Sequence, residues 1–133
     1  MNARPCWAET AERSHLRAQE SADRQKEAFD EARAEVCTEL RAKFVRAFDG
    51  EDIKFRNIYG GEPYDLKHVI ADALCEASGA PMRALIAWQM PGCDEVFCRG
   101  SFREAVIDFH LDDVADTLAK KRVAVNEREA MEP

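Results

Sequence analysis

The chain has 133 residues, enough for one domain with a modest hydrophobic core. Although 34% of the residues are charged, 46% are hydrophobic, which argues against intrinsic disorder of the whole chain. The formal net charge of −7 repels nucleic-acid phosphates, so we expect no direct binding to nucleic acid. No motif in the chain resembles that of a known family.

Cysteine usage and hydropathy indicate a soluble, cytoplasmic protein. The five cysteines are an odd number, which is typical of free thiols in a reducing compartment. The longest apolar run, residues 84–88, is too short to span a bilayer. We therefore expect no membrane association.

The N-terminal third of the chain is predicted to be helical. Residues 6–49 contain no Gly and no Pro and are rich in Ala, Glu and Arg, which are strong helix formers. One helix over this span would be roughly 65 Å long, whereas the remaining residues can build a body only about 30 Å across. The helix would therefore project beyond the body, unless a break near residues 21–23 folds it into a hairpin.

Apolar spacing divides this helix into two halves. From Phe29 to Phe48 the apolar residues recur every three or four positions, which is typical of a helix face packed on a core. Upstream, the same face carries mostly small residues, which allow close approach of another helix. We predict that this face binds another protein or a second copy through Trp7, Ala11, Ala18, Ala22 and Phe29.

The first half of the body is predicted to contain a strand and a helix. Residues 53–56 alternate apolar and polar and indicate a strand that reaches Tyr59, followed by a turn at residues 60–63. A helix follows over residues 66–77, with Asp65 as its N-cap and Gly79 as its C-cap.

Three further strands and a last helix complete the prediction. Residues 82–90 and 95–99 are predicted strands joined by a turn. Residues 101–111 favour a strand, although Ser101 and Glu104 at capping-box spacing would suit a helix start. Asp112 then caps a helix whose last turn holds the basic residues 120–122, where they complement the helix dipole.

The predicted fold class is therefore α+β, a long N-terminal helix followed by a compact β-α-β-β-β-α body with a small antiparallel sheet. The predicted divisions are a charged helix over residues 1–49, the body over residues 50–125 and a frayed tail over residues 126–133.

The residues that could support catalysis form no complete set. On a strand, Asp108, His110 and Asp112 would share one face and could hold a divalent cation, but a solvated face explains them better. Cys93 and Cys98 supply at most half of a zinc site. We therefore expect no catalytic residues, no metal and no cofactor.

These observations predict a non-catalytic protein–protein interaction module that docks or self-associates through its N-terminal helix. An alternative is an acidic inhibitor that mimics nucleic acid, and a third is a metal-dependent enzyme that uses residues 108, 110 and 112. The acidic surface that a mimic would use consists of Glu51, Asp52, Asp94, Glu95, Asp108, Asp112, Asp113 and Asp116.

Overall fold

The described residues of the chain form four α-helices. The computed structural model describes residues 6–76 and 79–131. The helices are α1 (Cys6–Phe48), α2 (Leu66–Cys75), α3 (Ala80–Gln89) and α4 (Glu95–Met131). Because the described residues contain no β-strand, the predicted α+β class is wrong and the fold is all-α.

Helix α1 is one continuous helix, so the described residues contain no hairpin at residues 21–23. It ends at Phe48 as predicted, with Gly50 in the left-handed region at φ 104°. The amide of Glu51 then donates to the carbonyl of Arg46 at 3.1 Å and closes the helix end.

The core lies between α1 and α4, which ion pairs also join. Arg33 pairs with Asp116, whereas Arg41, farther along α1, pairs with Asp108, which is earlier on α4. The buried apolar residues of α1 are the spaced positions of the sequence pattern, and the core also takes residues from α2, α4 and the loop after α1. The buried residues of α1 are Ala32, Val36, Leu40, Phe44 and Ala47.

The loop between α1 and α2 contributes one fully buried ring. Phe55 is 0% exposed and stacks on Phe44, with ring centroids 4.5 Å apart. Phe55 and Tyr64 exchange two backbone hydrogen bonds of 2.7 and 2.8 Å as an isolated antiparallel bridge. The strand predicted for residues 53–56 is therefore reduced to one bridge, and Tyr59 lies beyond it.

Helices α2 and α3 correct two predictions. The N-cap of α2 is Asp65 as predicted, since its carboxylate accepts from the amide of His68 at 3.0 Å. However, α2 ends at Cys75, and Gly79 is the N-cap of α3, with Pro81 in its first turn. The apolar run over residues 82–90 is consequently helical rather than a strand.

Helix α4 replaces the last two predicted strands. It begins at Glu95, where the side chain of Asp94 accepts from the amide of Phe97 at 3.2 Å, and it continues through residues 101–111. Asp112 therefore lies inside the helix and caps nothing. The apolar residues of α4 point to several sides of the helix. More than one side can be buried because α4 packs against all three other helices.

The end of α4 also differs from the prediction. Residues 126–131, expected to belong to a frayed tail, are its last turns. The basic residues 120–122 thus lie about two and a half turns before the helix end, and the helix dipole does not explain them.

Replacing the buried ring of Phe55 tests whether this loop residue belongs to the core. We expect Phe55→Ala to lower the free energy of unfolding by about 3–5 kcal/mol, because it leaves a cavity beside Phe44. Phe97→Ala is the matched control, since Phe97 is 71% exposed, and it should change stability by less than about 0.5 kcal/mol. Urea unfolding followed by circular dichroism measures both, and equal losses would contradict the placement of Phe55.

Candidate protein-interaction surface

The N-terminal half of α1 projects away from the core. Residues 9–28 are exposed at every position, on all sides of the helix. These twenty residues correspond to about 30 Å of helix. The first buried position along α1 is Ala32, at 3% exposure. We call residues 9–28 the overhang.

The structure places most of the predicted interaction residues on the overhang. Ala11, Ala18 and Ala22 are exposed, and Phe29 is half-buried where the overhang meets the body. The side chain of Trp7 lies outside the described part of the structure. Sequence analysis overlooked Leu16, which is 57% exposed, because it lies on a different side of the helix from the predicted face.

Ion pairs join the packed half of α1 to α4. Arg41 donates to Glu104 at 3.0 Å and to Asp108 at 2.8 Å. Arg122 of α4 reaches back to Glu39 through two hydrogen bonds of 3.0 and 2.6 Å. The hydrogen bond from Arg122 lowers the pKa of Glu39, so Glu39 remains ionised well into the acid range.

The predicted acidic surface is exposed but largely occupied by intramolecular contacts. All eight residues are exposed, and six of them contact a partner within the chain. The ion pairs are Glu51 with Arg46, Asp52 with Lys54, Asp108 with Arg41 and Asp116 with Arg33. Asp113 accepts from the Tyr59 hydroxyl at 3.1 Å, and Asp94 caps α4.

The proposed convergence of Asp108, His110 and Asp112 does not occur. Because these residues lie on a helix, positions two apart point to different sides. His110 is buried at 7% exposure, whereas Asp108 and Asp112 are exposed. Among the described residues, no three Asp, Glu, His or Cys side chains are placed to hold a metal ion.

His110 instead belongs to the core, which the sequence did not predict. Its ring meets the rings of Phe44 and Phe55 edge-on, at centroid distances of 5.3 and 5.7 Å. Burial lowers the pKa of His110, and the negative charges of Asp113 and Asp72 oppose that effect only in part. The imidazole is therefore neutral near pH 7.

Two cysteines, Cys93 and Cys98, lie near the start of α4. Cys93 donates its thiol hydrogen to the carbonyl of Trp88 at 3.0 Å. Partial burial and the neighbouring Cys93 raise the pKa of the Cys98 thiol, which opposes ionisation. The free cysteines of the described chain are Cys37, Cys75, Cys93 and Cys98.

Two surface grooves were not anticipated from the sequence. An apolar groove of about 500 Å³ lies where α1 ends and α4 begins, with Val45, Phe48, Val96 and Phe97 in its lining. It was missed because residues 95–99 were assigned to a strand. A second groove lies between α1 and the C-terminal half of α4. Five basic residues line it, of which sequence analysis had attributed Lys121 and Arg122 to the end of a helix.

Comparisons with family models, with curated proteins and with solved structures found no match to this chain. Across the residues that the structure describes, no helix is both long enough and apolar enough to cross a membrane. A function is therefore inferred from the geometry of this chain alone.

The buried imidazole predicts a pH dependence of stability. The native pKa of His110 lies below 6.5, whereas the unfolded chain takes up this proton near pH 6.5. Between these two pKa values the unfolded state binds more protons than the native state, so stability falls as the pH is lowered. The slope from this residue is at most about 1.4 kcal/mol per pH unit.

Urea unfolding at pH 7.5 and at pH 5.0 measures this loss for the wild type and for His110→Leu. The variant should lose less stability, because it has no imidazole to protonate. His15→Leu is the control, since His15 is exposed on the overhang, and it should lose as much as the wild type. An equal loss in all three proteins would show that groups other than His110 account for the whole effect.

Proposed function

We propose that this protein is a non-catalytic, cytoplasmic protein–protein interaction module that docks or self-associates through the overhang of α1. The observation that carries the proposal is the uninterrupted exposure of residues 9–28. A helix of this length that is exposed on all sides offers a large surface to a partner.

The energetics of helix formation support this role. Isolated helices of this length are marginal in water, because most helical stability in proteins comes from packing. The overhang avoids the cost of nucleation, since it continues directly from the packed half of α1. Docking would add the packing that it lacks, and the exposed Ala11, Ala18 and Ala22 would allow close approach of a second helix.

The described side chains favour this role over the two alternatives. An acidic mimic needs carboxylates that are free to replace phosphates, but most of the predicted acidic surface is paired within the chain. A metal-dependent enzyme using residues 108, 110 and 112 needs those side chains on one face, and His110 is buried away from the two carboxylates. The free cysteines fit a reducing compartment.

Deleting residues 1–26 tests the proposal. We expect the shortened chain to remain folded, because the deleted segment contains no buried residue among those described. Light scattering after size-exclusion chromatography, over a hundredfold range of concentration, should show association of the wild type and a monomer for the deletion variant. A deletion variant that unfolds, or that still associates, would contradict the proposal.

A matched pair of full-length variants separates the predicted face from general charge effects. Ala18→Glu/Ala22→Glu places carboxylates on the face of small residues, whereas Arg17→Ala/Arg24→Ala removes cations elsewhere on the helix. Both change the net charge from −7 to −9. Only Ala18→Glu/Ala22→Glu should abolish association. If the wild type is monomeric at every concentration, the proposed self-association is wrong. The proposal is then restricted to docking on another protein.

A further inference from the structure

The groove between α1 and the C-terminal half of α4, which we call the α1–α4 groove, is basic on an acidic protein. Its volume is about 820 Å³, and it contains five cationic side chains and two carboxylates. Its local charge is therefore +3, against −7 for the whole chain. The cations are Lys43, Arg56, Lys121, Arg122 and Arg128.

Most of these cations are not neutralised within the chain. Both carboxylates of the groove, Glu35 and Glu39, pair with Arg122. The other four cations are exposed and form no ion pair with a described residue, although the charge of Lys43 is felt by Glu39. A ligand with carboxylates could therefore pair with them without breaking an existing contact.

The floor of the groove is apolar. Val36 and Leu40 line it from α1, and Leu118 and Val125 line it from α4. Val125 is 43% exposed and Leu118 is half-buried, so part of this apolar surface faces solvent. The groove thus combines an apolar floor with cationic walls, which is the complement of an amphipathic helix that carries acidic residues beside its apolar stripe.

The shape and lining favour such a helix over a nucleic acid. The apolar residues are four apart on α1 and seven apart on α4, so each pair lies on one helix face and forms ridges that a third helix can pack against. None of the described residues that line the groove is aromatic, so bases would find no stacking platform there, and two carboxylates would repel phosphates. We infer that the α1–α4 groove binds an acidic amphipathic helix of a partner protein.

This inference does not depend on the proposed function of the overhang, because no residue of the overhang lines the groove. The cations come from three separate parts of the chain: α1, the loop that contains Arg56, and α4. Charge complementarity of this kind raises association rates and makes binding sensitive to salt. We therefore expect affinity to weaken as ionic strength rises.

The probe is a fluorescein-labelled helical peptide of about 15 residues, with leucines at i, i+3 and i+7 and glutamates on both flanks. Fluorescence anisotropy against the full-length protein should show saturable binding. Lys121→Glu/Arg128→Glu should weaken binding by about tenfold or more, and Val125→Asn should also weaken it. The control Lys67→Glu/Arg99→Glu makes the same change in net charge outside the groove and should bind like the wild type.

Three comparison probes complete the test. A peptide with Gln in place of Glu and a polyglutamate without leucines should each bind at least about fivefold more weakly. A single-stranded DNA of similar length should not compete with the peptide. The inference is overturned if the peptide does not bind or if the groove variants bind it as tightly as the wild type does. It is also overturned if polyglutamate or DNA binds as tightly as the peptide. Circular dichroism of each variant ensures that lost binding does not reflect lost folding.

Discussion

The packing of α1 on α4 around Phe44 is the interaction on which the rest of the structure depends. The rings of Phe55 and His110 both contact Phe44, so one side chain of α1 joins the loop and α4 to the core. Ion pairs such as Arg41 with Asp108 flank this core but are exposed, and solvent screening limits what they contribute. Apolar burial therefore supplies most of the stability.

This packing also determines which surfaces remain available. The contact uses only the part of α1 after Phe29, so the upstream residues extend beyond the body as the overhang. Farther along α1, the C-terminal half of α4 leaves a groove against residues 35–43 in which cations collect. One helix pair therefore leaves two separate exposed surfaces, one of small and polar residues and one apolar with basic walls. We propose that each of them binds a partner.

Local signals in the sequence were sufficient for the first helix and insufficient for the last. The absence of Gly and Pro predicted α1, and the spacing from Phe29 onward predicted its buried face, because α1 packs along one side only. Helix α4 contacts three helices, so its apolar residues surround much of its circumference and imitate the alternation of a strand. The strand prediction for residues 82–90 was wrong for a related reason, since a short apolar segment does not distinguish a buried strand from a helix.

Among the candidate sites, too, those that depend on local sequence could be predicted and those that depend on tertiary packing could not. The overhang could be predicted because it depends on residues that are adjacent in sequence. His110 was misplaced because its burial depends on Phe44 and Phe55, which are distant in the chain. The α1–α4 groove could not be predicted, since Arg56 and Arg128 are far apart in the chain and come together only through tertiary packing.

The central claim is that α1 is one continuous helix that extends beyond a small body, and small-angle X-ray scattering of the wild type tests it most directly. The measurement should be made on dilute protein eluting from a size-exclusion column, so that the mass of the scattering species is known. Our account predicts a maximum dimension of at least about 65 Å, the length of α1. A compact particle with a radius of gyration near 14 Å, about the value for a globular chain of this length, would contradict it.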